Sequence, residues 1–386
     1  MESFNLLAGL AHLPWGSLAM MGVGGVLLVL ATMREFESVF LFALGLAILL
    51  TNLPGSALAE PGGLLYLLYD VGVHHGLLPA LFCLSLGILA DFRPLIALPA
   101  LLFVGAAAQM GVFITLLFVL LLNVGLGLHL DVAHAALISQ IGSGYAPSLL
   151  FGADRLAPEL LGTVVMVLYA NMALLPLLQS PIAHRLTTEE ERQVVMTAIR
   201  PVSRWERMLF PGILMVSSLL IWPFVAPVAA LLGLLALGNL LKEAGIVAAI
   251  ATRIPPAISA RLLSLITLLF GLAVGSRLSA AQFLSLGTVG ILCLGVVACG
   301  VGSASGILMG KWLYRRSNGQ INPLLGAAGL AVVPLAARMV GKLEAEARQT
   351  DGPHAPLLAY ALGTNLAGVI GSVVATGILL AILGGK

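Results

Sequence analysis

Over 386 residues the chain is 60% hydrophobic and 9% charged, with a formal net charge of +2, against roughly a quarter charged in an ordinary soluble domain. That much apolar surface cannot be buried in a soluble core, and a nearly neutral chain without a basic stripe excludes a nucleic-acid role. The class that remains is an all-α polytopic membrane protein, embedded in the lipid bilayer with its backbone hydrogen bonds closed inside helices.

In chain order, residues 1–14 lead into an apolar run with no basic n-region and no small-residue cleavage site, which reads as a retained first helix rather than a signal peptide. Nearly charge-free segments lie at 20–30, 81–89, 98–122, 160–178, 209–220, 262–274, 289–309 and 357–383. Most reach, with their flanks, the ~20 residues that a spanning helix needs, and about nine to eleven segments are expected to enter the membrane. Between them, Asp70, His74 and His75, and then His129, Asp131 and His134, are metal-ligand residue types that read as surface loops. Cys83, Cys293 and Cys299 lie in apolar runs without ligand spacing and are expected to be structural thiols. No metal site is assigned, and no phosphate loop or CxxC is present.

Residues 136–151 (ALISQIGSGYAPSLLF) interrupt an apolar helix with Gly and Pro, and residues 321–339 (INPLLGAAGLAVVPLAARM) do so again. Such breaks free backbone groups that lipid cannot satisfy, so they belong inside protein or beside a polar cavity. Between them, residues 183–207 form the one long charged stretch, carrying Arg185, Arg192, Arg200, Arg204 and Arg207. The positive-inside rule places this linker in the cytoplasm, with Lys311, Arg315 and Arg316 on the same side. Glu243 beside Lys242 reads as a helix-end charge pair.

Displacing the chain by about 187 residues sets Asn52 on Asn239, Gly142 on Gly329 and Pro147 on Pro334, as expected of a transporter built from two inverted repeats. The expected organisation is a first repeat at 1–182, the linker at 183–207 and a second repeat at 208–386. Arg338, just after the second break, is an ionisable group at membrane depth and therefore a functional candidate. Ser143, Asn171, Asn322 and Asn365 supply neutral polar groups near the interrupted segments.

From Asn52 onward the chain resembles the β subunits of the sodium-pumping, biotin-dependent decarboxylases. The resemblance rests on ADFRPLIALP, GAAAQMGVF, RLAPELLG, MALLPLLQSPI, LTTEEER, NLLKEAGIV, INPLLGAAG, VPLAARMV and NLAGVIGS, all in one order. It implies a core-plus-scaffold membrane subunit of the bacterial plasma membrane that decarboxylates carboxybiotin supplied by a partner and moves sodium outward. Implied partners are a biotin carrier and carboxyltransferase subunit, a small membrane subunit, and further copies in a trimer. It also implies that Asn322, Gly326 and Arg338 serve the chemistry, with Arg338 catalytic.

Three positions depart from the family pattern. Tyr145 stands where the family's first break has an essential Asp, Asn171 where the next helix has a Tyr, and Ala331 where the second break has a Ser. A hard cation wants several oxygens, one of them preferably charged. The expectation is a carboxybiotin decarboxylase subunit whose sodium coupling is altered or lost. The alternative is a secondary transporter of a small carboxylate on the same scaffold, without enzymatic activity.

Overall fold

A computed structural model describes residues 14–32, 38–126, 131–251, 256–280, 286–333, 335–350, 352 and 355–383. His129, Pro334 and the residues before Pro14, singled out above, lie outside these. Among the described residues all regular structure is helical. Helices α1 (Trp15–Ala31), α2 (Ser38–Thr51) and α3 (Leu64–Tyr69) are followed by α4 (Leu77–Leu89), α5 (Arg93–Ala97) and α6 (Leu101–Leu126). Then come α7 (Val132–Gln140), α8 (Ala146–Leu156), α9 (Leu161–Leu186) and the short α10 (Glu189–Arg192). The rest are α11 (Arg204–Glu243), α12 (Ile246–Ala251), α13 (Pro256–Gly275), α14 (Leu286–Arg316), α15 (Leu335–Arg348) and α16 (Ala355–Leu383).

Four of these helices are long and apolar enough to cross a membrane, at Leu101–Gly125, Arg204–Pro223, Gly287–Arg316 and Ala355–Leu383, and the total is six if each of two bent pairs counts as one span. Shorter apolar helices lie at Trp15–Ala31, Val39–Thr51 and Ser264–Gly275. The chain is an all-α polytopic membrane protein. The interrupted segments, among the nine to eleven expected to enter the membrane, contain no single helix of spanning length.

One interruption was not anticipated. Helix α11 loses helical geometry at Val225 (φ −147°, ψ 56°), within the Pro-containing run IWPFVAPV. Ser218 Oγ donates to the Ala229 carbonyl at 2.6 Å, although a straight helix would hold these residues about 16 Å apart. Arg207 Nε and Glu243 Oε2, near the two ends, lie 3.3 Å apart. The chain therefore doubles back at Val225 into two antiparallel arms. The pairing of Glu243 is accordingly with Arg207, while Lys242 Nζ donates to the Ala90 carbonyl at 2.7 Å.

The chain divides into two compact units, Met1–Pro79 with Ala257–Val289, and Ala80–Pro256 with Gly290–Lys386. In the first, α1 and α2 cross at Gly24 and Gly45, each of which would drive a Cβ into the other's carbonyl oxygen. Helix α2 lies on α13 through Ala43 against Gly271 and Ala47 against Gly275. Asn52, buried where α2 ends, donates Nδ2 to the Leu278 carbonyl at 2.8 Å and accepts at Oδ1 from the Ala280 N–H at 2.9 Å.

In the second unit Asn239 does the matching task for α4. Its Nδ2 donates to the carbonyls of Gly87 and Ala90 at 3.1 and 2.9 Å, acceptors that a helix end leaves unpaired. Replacing Asn239 with Leu removes both bonds from a buried site, which costs about 1–3 kcal/mol. The expected outcome is a lower melting temperature of the detergent-solubilised protein than for Asn239→Gln.

Candidate functional site

Both Gly/Pro breaks expected from the sequence are present, and both lie in the second unit. The first follows α7: a 3₁₀ turn at Ile141–Ser143, a left-handed Gly144 (φ +74°) and an extended Tyr145 lead into α8. Positive φ is open to Gly at little cost, and a Cβ at 144 would also strike the Val332 side chain. The second break begins at an extended Asn322, runs as a 3₁₀ turn through Pro323–Gly329, and straightens at Leu330 before α15. One backbone hydrogen bond joins the two, from the Ala331 N–H to the Ser143 carbonyl at 3.0 Å.

A stripe of glycines on α14 lets the second break approach. A Cβ on Gly306 would overlap the Gly326 carbonyl, and one on Gly326 would overlap the backbone of Gly306 and Ile307. Gly310 lies equally close to Pro323. Backbone packed against backbone leaves no room for a side chain at either face.

The carbonyls of the second break are met by amide side chains from three helices. Gln179 of α9 donates Nε2 to the Ala327 carbonyl at 2.8 Å and to Ser303 Oγ at 3.3 Å. Asn365 of α16 donates Nδ2 to the carbonyls of Ala328, at 3.1 Å, and Leu330. Gln109 of α6 donates to the Gly329 carbonyl at 3.4 Å. Each amide spends its NH₂ on the break and leaves its oxygen buried with no hydrogen-bond partner. The first break is tied to α16 by similar means: Thr376 Oγ1 donates to Gln140 Oε1 at 2.9 Å, and the hydroxyls of Ser148 and Ser372 lie 2.8 Å apart.

The three departing positions fall on this framework as follows. Tyr145 is 2% exposed, and its hydroxyl is 2.9 Å from Cys83 Sγ on α4, so its one polar atom is engaged away from the second break. Ala331 is buried and contributes only its N–H. Asn171 is also buried, and neither its Oδ1 nor its Nδ2 has a hydrogen-bond partner. It lies where the segments Pro158–Met172 and Leu174–Leu186 meet at 54°, above Pro176, which removes the N–H that would bond to the Met172 carbonyl. Asn171 Nδ2 rests against the Gly295 backbone beside Ile141. Ser143 accepts at Oγ from the Tyr145 N–H at 3.3 Å.

Asn322 serves the linker. Its Nδ2 donates to the carbonyls of Arg192 and Val194 at 3.1 and 3.0 Å, its Oδ1 accepts from the Leu324 N–H, and its own N–H meets Met196 Sδ at 3.3 Å. Residues 192–196 are thereby strapped across the start of the second break. Within the stretch 183–207, Ala183 to Leu186 complete α9 and Arg204 to Arg207 open α11. Arg338, in the first turns of α15, is exposed and has no ion pair among the described residues. The geometry thus gathers Ser143, Tyr145, Ala331, Gly326 and Asn365 around the joined breaks, while Asn322 and Arg338 lie at their margins.

Elsewhere, Asp131 caps α7 by accepting from the Val132 N–H, and His134 pairs with Glu159 at 2.6 Å. His75 Nδ1 contacts the Asp70 carbonyl oxygen at 2.7 Å. Gln109, Gln140 and Gln179 were not singled out from sequence. Their signal was an amide inside an otherwise charge-free apolar run, as in GAAAQMGVF and MALLPLLQSPI.

Replacing Gln179 with Leu leaves the Ala327 carbonyl without a side-chain donor and is expected to lower stability by about 1–3 kcal/mol. Gly326→Ala should lower the melting temperature further, since two backbones must separate rather than one side chain repack.

A family model described as Na+-transporting oxaloacetate decarboxylase beta subunit matches residues 16–383. The chain is 39% identical over 400 residues to the methylmalonyl-CoA decarboxylase subunit beta of Propionigenium modestum, covering 97% of each chain. It is 36% identical over 438 residues to the oxaloacetate decarboxylase beta chain of Klebsiella pneumoniae, covering 98% of this chain and 99% of the relative. It is likewise 36% identical over 379 residues to the glutaconyl-CoA decarboxylase subunit beta of Acidaminococcus fermentans, covering 98% and 96%.

Proposed function

This chain belongs to the Na+-transporting oxaloacetate decarboxylase beta subunit family, and on that premise we propose that it is the membrane subunit of a biotin-dependent decarboxylase whose cation site has been rebuilt. It would receive carboxybiotin from a mobile carrier subunit; the bond between the ureido nitrogen and the carboxyl carbon breaks, carbon dioxide leaves and the nitrogen takes a proton from water, with Arg338 holding the anionic group. The carrying observation is the junction of the two breaks. The segments that form it carry Gly326 and, at its margins, Asn322 and Arg338, yet neither 136–151 nor 321–339 contains an acidic residue.

The residues present do not fit sodium at the three departing positions. A hard cation needs several oxygens. Tyr145 has its hydroxyl on Cys83, Ala331 has no side-chain oxygen, and Asn171 offers one neutral oxygen. With no carboxylate there, and with helix α8 beginning at this point, the local field favours an anion over a cation. No step of the reaction is therefore routed through sodium at this place.

The inverted repeat of 1–182 and 208–386 is part of the proposal, and the asparagine contacts support it. Asn52 reaches residue 278, and Asn239 reaches residue 90. Displacement by the repeat length turns one contact into the other, to within one residue, with the halves exchanged. The linker, Arg315 and Arg316 are assigned to the cytoplasmic side by the positive-inside rule. There the linker would meet the carrier subunit, with a small membrane subunit and further copies of this chain completing a trimeric complex in the bacterial plasma membrane.

Thermal unfolding with sodium or potassium chloride at equal ionic strength tests the cation site, because a ligand specific to the folded state raises the melting temperature. The expected outcome is no sodium-specific shift in the natural chain, and a shift created by Tyr145→Asp with Ala331→Ser. A sodium-specific shift in the unmodified chain would defeat the reading of Tyr145 and Ala331.

The enzymatic part has its own check. A biotinylated protein is expected to co-purify with the affinity-tagged chain from native membranes, detected by streptavidin. If none does, and the chain alone in vesicles takes up a labelled carboxylate, the transporter alternative holds instead.

A further inference from the structure

Helices α6 and α14 touch through glycine, with Gly111 set against the Gly302 backbone and Gly302 against the Ala108 carbonyl. This crossing leaves a groove of about 480 Å³ on their outer side, lined by Met110 and Ile114 from α6 and by Leu308, Met309 and Trp312 from α14. Ser305 contributes the only side-chain hydroxyl of the lining. Met110, Ile114, Leu308 and Trp312 are all exposed. Both helices are long apolar spans, so this face meets lipid rather than water.

The groove has a charged mouth. Residues 308, 312 and 315, and residues 305, 309, 312 and 316, follow the spacing that puts side chains on one helical face, so Arg315 and Arg316 continue the groove wall beyond Trp312. The Arg316 guanidinium lies 5.4 Å from the Trp312 ring centre, and Trp is the residue type that marks the membrane interface. Neither arginine has an acidic partner among the described residues. The third cation of this helix end, Lys311, is already committed to Glu191 at 3.2 Å and to the Leu186 carbonyl at 2.7 Å.

We propose that this groove binds an anionic phospholipid, with one acyl chain along Met110 and Leu308 to Trp312 and the phosphate on Arg315 and Arg316. From Ser305 to Trp312 the groove runs about 10 Å, which lies within one leaflet of a ~30 Å hydrocarbon core. Charge complementarity selects the occupant. A phospholipid brings an apolar chain and an anion in one molecule at this spacing, whereas a helix of a partner protein would set its backbone-flanking apolar surface against two uncompensated guanidinium groups.

Trp312 is one of four tryptophans, so Trp15→Phe, Trp205→Phe and Trp222→Phe together leave it as the sole reporter. The full chain is reconstituted in phosphatidylcholine vesicles, and quenching is compared between phosphatidylglycerol and phosphatidylcholine carrying the same brominated acyl chains. Brominated phosphatidylglycerol is expected to quench at a mole fraction lower by roughly fivefold per arginine, the effect of one cation beside an anionic headgroup. Arg315→Gln with Arg316→Gln should abolish that preference, and Ser305→Phe, which fills the groove, should weaken quenching by both lipids. Equal quenching by the two lipids, or a preference that survives the arginine substitutions, overturns the proposal. So does exclusion of both lipids from Trp312 in the unfilled groove, since a protein helix would then be its occupant. If the three-Phe chain does not fold, native mass spectrometry of the unmodified chain decides the matter. It must retain phosphatidylglycerol over phosphatidylcholine, and must lose that preference on replacing both arginines.

Discussion

Carbonyls freed at residues 327–330 have no water to turn to inside a membrane, and the amide groups of Gln179, Asn365 and Gln109 are what they bind. An unsatisfied backbone group in hydrocarbon costs several kcal/mol, so this one requirement ties α9, α16 and α6 to the second break together. The orientation of each amide follows. Reversing any of them would set oxygen against oxygen, so each must point its NH₂ at the break. Among the described residues the oxygens of these three amides are left buried without donors.

Close approach is the second requirement, and glycine on α14 meets it. Gly302, Gly306 and Gly310 recur every four residues, so one face of the helix presents bare backbone to Gly111, Gly326 and Pro323. Small residues serve this purpose in membranes, where packing rather than hydrophobic transfer holds helices together. The same crossing that seats the break on one side of α14 opens the apolar groove on its outer side. The seating of the second break and the apolar groove are thus two consequences of one helix contact.

At the first break, the length of the Tyr145 side chain decides what it reaches. A short carboxylate following Gly144 would stay near the backbone that joins Ser143 to Ala331. The longer phenol instead reaches α4, where Cys83 takes its hydroxyl. Cys83, read from sequence as a structural thiol, is the partner that this hydroxyl meets.

Composition and the Gly/Pro pattern by themselves determined an all-α membrane protein and the location of both breaks, because lipid admits little but helix and Gly and Pro interrupt it locally. Motif order identified the family for the same reason: it is a property of the chain alone. Partner choice was decided only by the tertiary structure. Nothing local reveals that Gln179 meets Ala327, that Asn322 is tied to residues 192–194, or that α11 folds back at Val225 so that Arg207, rather than Lys242, pairs with Glu243. A polar side chain in an apolar run announces that it needs a partner. Which partner it finds depends on how distant helices cross, and those crossings are set by where two backbones can touch.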